Sequence, residues 1–253
     1  MSRGVALVTG ASSGIGDALA RVFAEKGFDL VISARREDRL NALADELSVD
    51  VVTVACDLAT TEGIDTLIAA TADMKIDVLV NNAGIAYSGN FSEQSIEDIQ
   101  NMTNLNIIAP TTLCHHFISR MIKQGAGRIL NVASVASFQP VPSLSAYAAT
   151  KAYVLSLTES LSEECRGSGV YIAALCPGLT KTDMVEDVQG SNVPEFLMSD
   201  PMDVAREGYD ALMSGEVIRI PGLTNQAAIA WAKHPPRWLV RGLGGLFAKM
   251  TPK

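Results

Sequence analysis

Seven short apolar runs rich in β-branched residues alternate with longer segments of helical spacing, and this alternation constrains the fold most strongly. The runs are Val5–Val8, Asp29–Ser33, Val51–Val54, Val78–Val80, Arg128–Val132, Val170–Leu175 and Val217–Ile220. Apolar residues recur at helical spacing between them, as in Ala18, Leu19, Val22, Phe23 and in Leu40, Leu43, Ala44, Leu47. Strands that alternate with crossover helices predict a doubly wound α/β fold, in which helices cover both faces of a seven-stranded parallel sheet.

A glycine-rich turn follows the first predicted strand. It consists of Thr9-Gly10-Ala11-Ser12-Ser13-Gly14-Ile15-Gly16, and a helical pattern begins at Ile15. Glycines let the backbone turn tightly and approach a diphosphate, while the positive end of the helix faces the anion. A purely structural turn is the alternative. The place of the turn favours a dinucleotide site, although its spacing differs from the common G-x-G-x-x-G pattern.

The second predicted strand ends in two arginines, where dinucleotide folds that prefer NAD place an acid. The residues there are Ser33-Ala34-Arg35-Arg36, with no carboxylate to bind the ribose 2′-hydroxyl. Guanidinium groups make forked, charge-assisted hydrogen bonds to phosphate oxygens. Arg35 and Arg36 therefore suit the 2′-phosphate of NADP(H). A solvated basic loop at the start of the next helix is the alternative.

Tyr147 and Lys151 lie four residues apart at the start of a long helical stretch, which places both side chains on one face. A nearby ammonium stabilises a phenolate, so we expect Lys151 to lower the pKa of Tyr147 from its usual value of ~10. Such a tyrosine can pass a proton to or from a substrate oxygen. Taken alone, however, a Tyr-x-x-x-Lys pair is usually a solvated helix face.

Six motifs in order resemble the short-chain dehydrogenase/reductase family. They are the turn at Thr9–Gly16, Asp57-Leu58, Asn81-Asn82-Ala83-Gly84, Ser134, the pair Tyr147 and Lys151, and Pro177-Gly178. The ordered match extends from about Gly4 to Thr182. The resemblance implies a dinucleotide-binding fold and hydride transfer between a nicotinamide coenzyme and a carbonyl or alcohol substrate.

The resemblance also implies catalytic roles for single residues. Ser134 would hydrogen-bond the substrate carbonyl, Tyr147 would be the general acid in reduction, and Lys151 would hold the nicotinamide ribose and tune Tyr147. Asn106 would be the fourth member of this set, because the following Ile107-Ile108-Ala109-Pro110 resembles the family's run. Asn104 fits this place less well, and a helix-packing amide is the alternative for Asn106.

Coenzyme contacts are implied in the same way. The expected set is Gly10, Ser12, Ser13, Gly14, Ile15, Arg35, Arg36, Asp57, Leu58, Asn82, Gly84, Tyr147, Lys151, Pro177, Gly178 and Thr182. Within it, Asp57 would bind the adenine amine, and Asn82 with Gly84 would lie near the ribose. Thr182 would reach the carboxamide or the diphosphate. Ser13 stands where members that prefer NADP often carry a basic residue, so the expected preference for NADP(H) depends on Arg35 and Arg36.

The sequence therefore predicts an NADPH-dependent reductase, or reversible dehydrogenase, acting on a small to medium apolar carbonyl compound or secondary alcohol. A dehydratase or epimerase of the same family is one alternative. A coenzyme-binding scaffold without catalysis is another, although a protein that only binds needs no set like Ser134, Tyr147 and Lys151. The resemblance further implies a homodimer or homotetramer, with contacts through the helices that carry Asn106 and Tyr147.

We predict one domain in two parts. Residues 1–222 form the dinucleotide-binding catalytic part, and residues 223–253 form a C-terminal extension of the same domain. Residues 180–201 follow the sixth strand without a clean period, which predicts a lid over the strand ends.

Charge and cysteine content restrict partners and location. Twenty Lys and Arg against 28 Asp and Glu give a net charge of −8, which repels nucleic acid phosphates. The four cysteines are widely spaced and form no Cys/His cluster, which predicts reduced thiols and no metal site. We recognise neither a signal peptide nor an apolar run of roughly 18 residues, and we predict a cytoplasmic protein.

The C-terminal extension has an unusual charge. From Val217 to Lys253 there are six Lys and Arg and no acid, and both tryptophans, Trp231 and Trp238, fall in this stretch. Three interpretations stay open: a segment in contact with an anionic membrane, a subunit contact, or a cover over the substrate pocket. Gly242, Gly244 and Gly245 weaken a long amphipathic helix and so favour the last two.

Overall fold

The computed structural model describes residues 3–183, 198–222, 225, 226 and 229. Its seven strands pair in parallel in the order β3-β2-β1-β4-β5-β6-β7. They are β1 (Val5–Thr9), β2 (Asp29–Ala34), β3 (Val51–Ala55), β4 (Ile76–Asn81), β5 (Gly127–Val132), β6 (Val170–Leu175) and β7 (Ile218–Arg219). The described α-helices are α1 (Gly14–Glu25), α2 (Glu37–Glu46), α3 (Thr61–Ala70), α4 (Ile96–Thr103), α5 (Ala109–Gln124), α6 (Ser145–Glu164) and α7 (Pro201–Ser214).

Helices cover both faces of the sheet, which confirms the predicted doubly wound fold. Side chains alternate along β1, so Ala6 and Val8 pack in one core with α1, α2 and α7. Leu7 packs on the opposite face in a core with α3 and α5, while α6 lies against β6. All three β1 side chains are fully buried. Burial on both faces explains why the strands are continuous apolar runs rather than alternating ones.

The ends of the predicted elements differ slightly from the observed ones. The fourth strand begins at Ile76, two residues earlier than predicted, and ends at Asn81. The seventh is reduced to Ile218 and Arg219, because only Ala174 and Leu175 of β6 pair with it at the edge of the sheet. The first helix begins at Gly14 rather than Ile15.

A π-helical turn, Asn104–Ile108, joins α4 to α5 without a break. Such a turn holds one residue more than an α-helical turn and is frequently found at functional sites. Asn106 lies at its middle and is 1% exposed. The turn therefore places a buried amide between the sheet and α6.

The predicted lid is described only at its two ends. Thr180 and Ser199 form an isolated parallel bridge, in which the N–H of Lys181 donates to the carbonyl of Ser199. Residues 184–197, and most of 223–253 with both tryptophans, lie outside the described residues, so the lid and the extension stay predictions. None of the helices described is both long and apolar enough to cross a membrane.

Candidate active site

A cleft of about 1280 Å³ opens at the carboxyl ends of the strands, where β1 and β4 lie side by side. Ligands of doubly wound folds bind at this place, because the crossover helices on either side of it run in opposite directions. The predicted site residues that line the cleft are Gly10, Ser12, Ser13, Gly14, Ile15, Arg35, Arg36, Asp57, Leu58, Asn82, Gly84, Ser134, Tyr147, Lys151, Pro177, Gly178 and Thr182. Asn106 does not line it.

The glycine-rich turn has room for nothing larger than glycine at its key positions. Gly10 and Gly14 have φ angles of +69° and +58°, in the left-handed region. A Cβ on Gly16 would lie 2.1 Å from the carbonyl oxygen of Gly10, and one on Gly14 would lie 2.7 Å from Cγ2 of Thr182. Ser13 precedes α1 without a side-chain capping hydrogen bond. The first N–H groups of α1 are therefore left for an anion in the cleft, which fits the diphosphate of a dinucleotide.

Asn82 anchors the glycine-rich turn through hydrogen bonds to its backbone. Its Nδ2 donates to the carbonyl oxygens of Thr9 and Gly10, at 2.9 Å and 3.2 Å. The Oγ1 of Thr9 accepts from the N–H groups of Asn82 and Ala83 and donates to the carbonyl of Val80. The Asn82 side chain thus ties the end of β1 to the end of β4. Sequence reasoning gave Thr9 no role of its own.

The two predicted arginines have different surroundings. Arg36 donates to Oγ of Ser12 at 3.1 Å and to Oγ of Ser13 at 2.9 Å. Arg35 is exposed and has no hydrogen bond or ion pair within the described part of the chain. A third arginine, Arg39, and Asp183 complete this cluster, and neither was expected from the sequence. Guanidinium and hydroxyl donors gathered beside the turn suit a phosphate group.

Asp57 and Leu58 line the cleft beyond the end of β3. One carboxylate oxygen of Asp57 accepts a hydrogen bond from the N–H of Ala59 at 3.0 Å, which orients the side chain. A Cβ on Gly63 would lie 1.9 Å from the carbonyl oxygen of Asp57, so the start of α3 packs directly on this loop. Asp57 is therefore fixed from two sides at the edge of the cleft.

Ser134, Tyr147 and Lys151 come together on the opposite wall. Ser134 follows β5, and its Oγ accepts from the N–H of Ala136 at 3.1 Å. Lys151 is 4% exposed, and its Nζ donates to the carbonyl of Val132 at 2.9 Å. The same Nζ lies 5.8 Å from the centre of the Tyr147 ring. The structure thus brings three of the four predicted catalytic side chains together at one place, and the fourth, Asn106, lies outside the lining of the cleft.

The ionisation of this group differs from the expectation. Burial raises the pKa of Tyr147, and the hydrogen bond with Ser134 opposes this only in part. Burial also lowers the pKa of Lys151 to about 8. The predicted lowering of the Tyr147 pKa by Lys151 is therefore wrong for this arrangement, because desolvation of the phenol is the largest influence and the opposing one comes from Ser134 rather than from Lys151. Tyr147 is a protonated phenol at neutral pH, which suits a proton donor.

Asn106 lies behind the cleft wall. Its Nδ2 donates to the carbonyl of Ile85 at 2.9 Å and to Oγ1 of Thr150 at 3.1 Å, while its Oδ1 accepts from the N–H of Ile85. A Cβ on Gly84 would lie 3.2 Å from this Oδ1 and 3.4 Å from Nζ of Lys151. Thr150 was missed by sequence reasoning, although its place just before Lys151 was the available signal. Asn106 therefore supports the wall that holds Lys151.

The rest of the cleft wall is mixed in character. Apolar side chains that line the same cleft as Tyr147 include Val135, Val141, Leu144 and Leu179. Pro177 accepts the N–H of Val135, and Gly178 packs against Asn225, to which a Cβ would come within 2.6 Å. The four cysteines are free thiols. Within residues 3–183, 198–222, 225, 226 and 229, no three His, Cys, Asp or Glu side chains are grouped to hold a metal ion.

The known proteins that resemble this chain are short-chain dehydrogenases and reductases. A family model described as short chain dehydrogenase matches residues 4–192. A 3-oxoacyl-[acyl-carrier-protein] reductase of Synechocystis sp. is 34% identical over 220 residues, 84% of this chain and 87% of that protein. A short-chain dehydrogenase from Sphingobium yanoikuyae in complex with NADPH has a TM-score of 0.82 and 34% identity, with 91% of this chain and 93% of that one covered. A family member from Burkholderia phymatum in complex with NAD has a TM-score of 0.81 and 27% identity, with coverage of 90% and 92%.

Proposed function

The chain belongs to the short-chain dehydrogenase/reductase family of oxidoreductases, and from this premise we propose that it uses NADP(H) to reduce a carbonyl group or to oxidise the matching secondary alcohol. The observation that carries the proposal is the common cleft of Ser134, Tyr147 and Lys151 with the glycine-rich turn and Arg36. The cleft therefore has a proton donor, Tyr147, on one wall and an anion-binding turn on the other, and a reacting group bound in it lies between the two.

Each catalytic side chain has one task in this proposal. Ser134 hydrogen-bonds the substrate oxygen, and the phenol of Tyr147 gives that oxygen a proton in reduction and takes it back in oxidation. NADPH, when bound, supplies the hydride. Lys151 holds ribose hydroxyls through its ammonium, and Asn106 positions Lys151 by fixing the loop at Ile85. Burial raises the pKa of Tyr147, which keeps the phenol protonated, as a proton donor must be, but also makes it a weaker acid.

The preference for NADP(H) is carried by Arg36 and Arg35. Arg36 donates hydrogen bonds to the hydroxyls of Ser12 and Ser13, and these bonds position its guanidinium at the edge of the glycine-rich turn. Arg35 is exposed beside it without a protein partner among the described residues. The two similar structures hold NADPH in one case and NAD in the other, so this preference is argued from the chain's own charges.

The proposed substrate is a carbonyl compound of small to medium size and apolar character. The side chains that support it are Val135, Val141, Leu144 and Leu179, which line the same cleft as Tyr147, since apolar walls favour apolar groups. The Synechocystis relative is named for reduction of a 3-oxoacyl group, which is also a carbonyl.

A coenzyme-consumption screen tests the proposal. The full chain is mixed with NADPH, and in parallel with NADH, and a panel of ketones, aldehydes and 3-oxoacyl thioesters, and the absorbance of the reduced nicotinamide is followed. We expect consumption of NADPH with apolar ketones, absent in the Tyr147→Phe variant. Tight NADPH binding without consumption on any compound would favour the scaffold alternative. A changed substrate without net coenzyme consumption would favour a dehydratase or epimerase.

We also propose a homodimer or homotetramer built on α5 and α6. Ile108, at the end of the π-helical turn, is 49% exposed and Tyr153 of α6 is 39% exposed. The hydroxyls of Tyr153 and Thr111 are 3.1 Å apart, which joins the two helices at this surface. Large apolar and aromatic side chains on neighbouring helices are typical of subunit contacts. Light scattering that gives the mass of a single chain would contradict this proposal.

The C-terminal extension, residues 223–253, is proposed as a subunit contact or a cover of the substrate pocket. Asn225 packs against Gly178, which lines the cleft, so the extension starts at the cleft edge. Removing residues 223–253 is expected to raise the KM for substrate or to change the mass by light scattering, with NADPH binding retained. Binding of the full chain, but not the shortened one, to anionic liposomes would favour the membrane interpretation instead.

A cytoplasmic location is part of the same proposal. Cys114, Cys165 and Cys176 are buried free thiols, and Cys56 is half-buried. Burial raises the pKa of the Cys114 and Cys176 thiols to about 12, so they stay protonated and inert. Fractionation of the producing cell that places the protein outside the cytoplasm would overturn this point.

A further inference from the structure

A carboxylate outside the predicted coenzyme set lies against Arg36, one of the two arginines that favour NADP(H), and against Arg39. The Oδ2 atom of Asp183 is 3.6 Å from Nη1 of Arg36 and 3.2 Å from Nη1 of Arg39. Asp183 also lines the cleft, next to Thr182, whose methyl group packs over Gly14. One oxygen of a single carboxylate therefore faces two guanidinium groups beside the glycine-rich turn.

The other acids near these arginines are not paired with them. Glu37 and Asp38 precede Arg39 in the first turn of α2, and neither makes an ion pair with Arg36 or Arg39 in the described part of the chain. All three side chains of the cluster remain partly open to solvent, with 42% of Arg36, 48% of Arg39 and 58% of Asp183 exposed. A ligand can thus reach the cluster from the cleft.

We propose that Asp183 competes with the 2′-phosphate of the coenzyme for Arg36, and that Arg39 moderates this competition by sharing the Asp183 carboxylate. This inference rests on the proposed use of NADP(H). A 2′-phosphate beside Arg36 brings up to two negative charges close to Asp183, and two anions cannot both be fully neutralised by one guanidinium. Asp183 lowers the affinity for 2′-phosphorylated coenzymes and leaves that for NAD(H) unaffected, so it sets how strongly the protein discriminates between them.

Asp183 would have the opposite effect on the affinity for 2′-phosphorylated coenzymes if its carboxylate held Arg36 in the orientation that the phosphate needs. The direction of the change in affinity therefore distinguishes competition from orientation. Arg36, however, is already held by Ser12 and Ser13 at 3.1 Å and 2.9 Å, which are shorter than its distance to Asp183. Orientation is therefore supplied by the two hydroxyls, and the effect of Asp183 is the electrostatic one.

Binding of adenine nucleotides separates the two effects without turnover. The full chain and its Asp183→Asn variant are titrated with 2′,5′-ADP and with 5′-AMP. Each nucleotide competes with bound NADPH, and the displacement of NADPH is followed by its fluorescence. We expect Asp183→Asn to bind 2′,5′-ADP about threefold to fivefold more tightly, at the upper end of the range for an ion pair at a solvated site. The affinity for 5′-AMP is expected to change less than about twofold, since 5′-AMP has no 2′-phosphate.

Asp203→Asn is the matched control. Asp203 is 72% exposed and forms an ion pair with Arg206 within α7, away from the cleft, and its loss changes the net charge equally. An increase in 2′,5′-ADP affinity in this variant as large as that in Asp183→Asn would reduce the effect to net charge and overturn the inference. So would a lower 2′,5′-ADP affinity in Asp183→Asn, because that result assigns orientation rather than competition to the carboxylate.

The role of Arg39 is tested by Arg39→Gln in both backgrounds. With Asp183 present, we expect this change to weaken 2′,5′-ADP binding, because the carboxylate is left to Arg36 alone. In the Asp183→Asn background it should have no further effect, since the coupled pair is already broken. An equal loss in both backgrounds would overturn this role and identify Arg39 as a direct phosphate ligand.

The same titrations distinguish failure of this inference from failure of the proposed function. If the unaltered protein binds 2′,5′-ADP no more tightly than 5′-AMP, the proposed preference for NADP(H) is wrong. If it prefers 2′,5′-ADP and Asp183→Asn gains nothing, the preference stands and the role of Asp183 is wrong.

Discussion

The amide of Asn106 donates a hydrogen bond of 3.1 Å to Oγ1 of Thr150, and it joins the π-helical turn to the helix that carries Tyr147 and Lys151. Thr150 continues this chain of hydrogen bonds, since its hydroxyl donates to the carbonyl of Tyr147 at 2.7 Å. Both residues are buried, with 1% and 3% of their surface exposed. The catalytic face of α6 is thus held from behind by a chain of hydrogen bonds.

Thr150→Val breaks this chain at nearly constant volume. We expect kcat to fall about tenfold, because a small displacement of α6 misaligns Tyr147 with the substrate. The free energy of unfolding should fall by only about 1 kcal/mol, the cost of a lost hydrogen bond. The Kd for NADPH should stay within about twofold, since the chain lies behind the cleft wall. Steady-state kinetics, coenzyme titration and urea unfolding measure the three quantities.

Thr112→Val is the matched control for that variant. Thr112 is on the exposed side of α5, and its hydroxyl bonds only the carbonyl of Ile108 one turn earlier. Unchanged kcat in Thr150→Val, or an equal loss in both variants, would show that the link does not position α6.

Tyr147→Phe should abolish turnover and leave NADPH binding nearly intact. The variant loses the phenolic proton while the ring still packs, and loss of a general acid costs ~10²-fold or more in kcat. Steady-state rates and a coenzyme titration check both halves. Tyr153→Phe, on the same helix but outside the cleft, is the control. A variant that keeps more than about a tenth of the normal rate would remove Tyr147 from the role of acid.

Changing Arg35 and Arg36 together to Ala should abolish the preference for NADPH over NADH. Each charge-assisted hydrogen bond to the 2′-phosphate is worth ~1.5–3 kcal/mol, so kcat/KM for NADPH should fall at least about tenfold while that for NADH is kept. Arg206→Ala, which removes an exposed arginine of α7, is the control. An unaltered protein that already prefers NADH would refute the assignment.

Lys151→Met should inactivate the protein and stabilise it at neutral pH. The pKa of Lys151 is about 8 in the folded state against an ordinary 10.5, so below pH ~8 folding buries a charge at a cost. Between these two values the folded state releases the proton that the unfolded chain still binds, and stability therefore rises with pH. Without the charge, we expect a gain of about 1–3 kcal/mol at neutral pH. The gain should shrink as the pH approaches about 10.

Urea unfolding of the two proteins over this pH range measures the effect. Lys123→Met, at an exposed lysine of α5, is the matched control. The lost hydrogen bond from Lys151 to Val132 works against the gain, so a variant less stable than the unaltered protein at neutral pH would mean that this bond outweighs the buried charge.

The seven strands could be predicted because burial on both faces removes polar residues from them, as at Leu7 and Val31. Their ends could not be predicted by the same signal. Asp77 interrupts the apolar pattern inside β4, yet it belongs there because its carboxylate accepts the N–H of Val5 and pairs with Lys75. A carboxylate that is satisfied by a backbone N–H of the neighbouring strand is not detected by a count of apolar residues.

Site residues within motifs could be predicted, but residues that act through distant pairs could not. Arg39 and Asp183 are 144 positions apart in the sequence, and no local pattern connects them. Thr150 has a role only because the π-helical turn brings Asn106 against it. The direction of the Tyr147 pKa shift depends on how far the phenol is buried, and burial is not a property of a Tyr-x-x-x-Lys spacing.

The central position of β1 governs how this molecule can be made on the ribosome. Val5 pairs with Asp29 of β2 on one side and with Ile76 of β4 on the other. The second edge of β1 can therefore be paired only after β4 has left the exit tunnel of the ribosome. Until then the nascent β1-β2-β3 unit presents an open edge of unpaired backbone N–H and C=O groups, which is prone to aggregation. Because the cleft takes its walls from both sides of this junction, its complete lining exists only after the later strands have been synthesised, so stabilisation of the fold by a ligand that needs both walls comes late in synthesis.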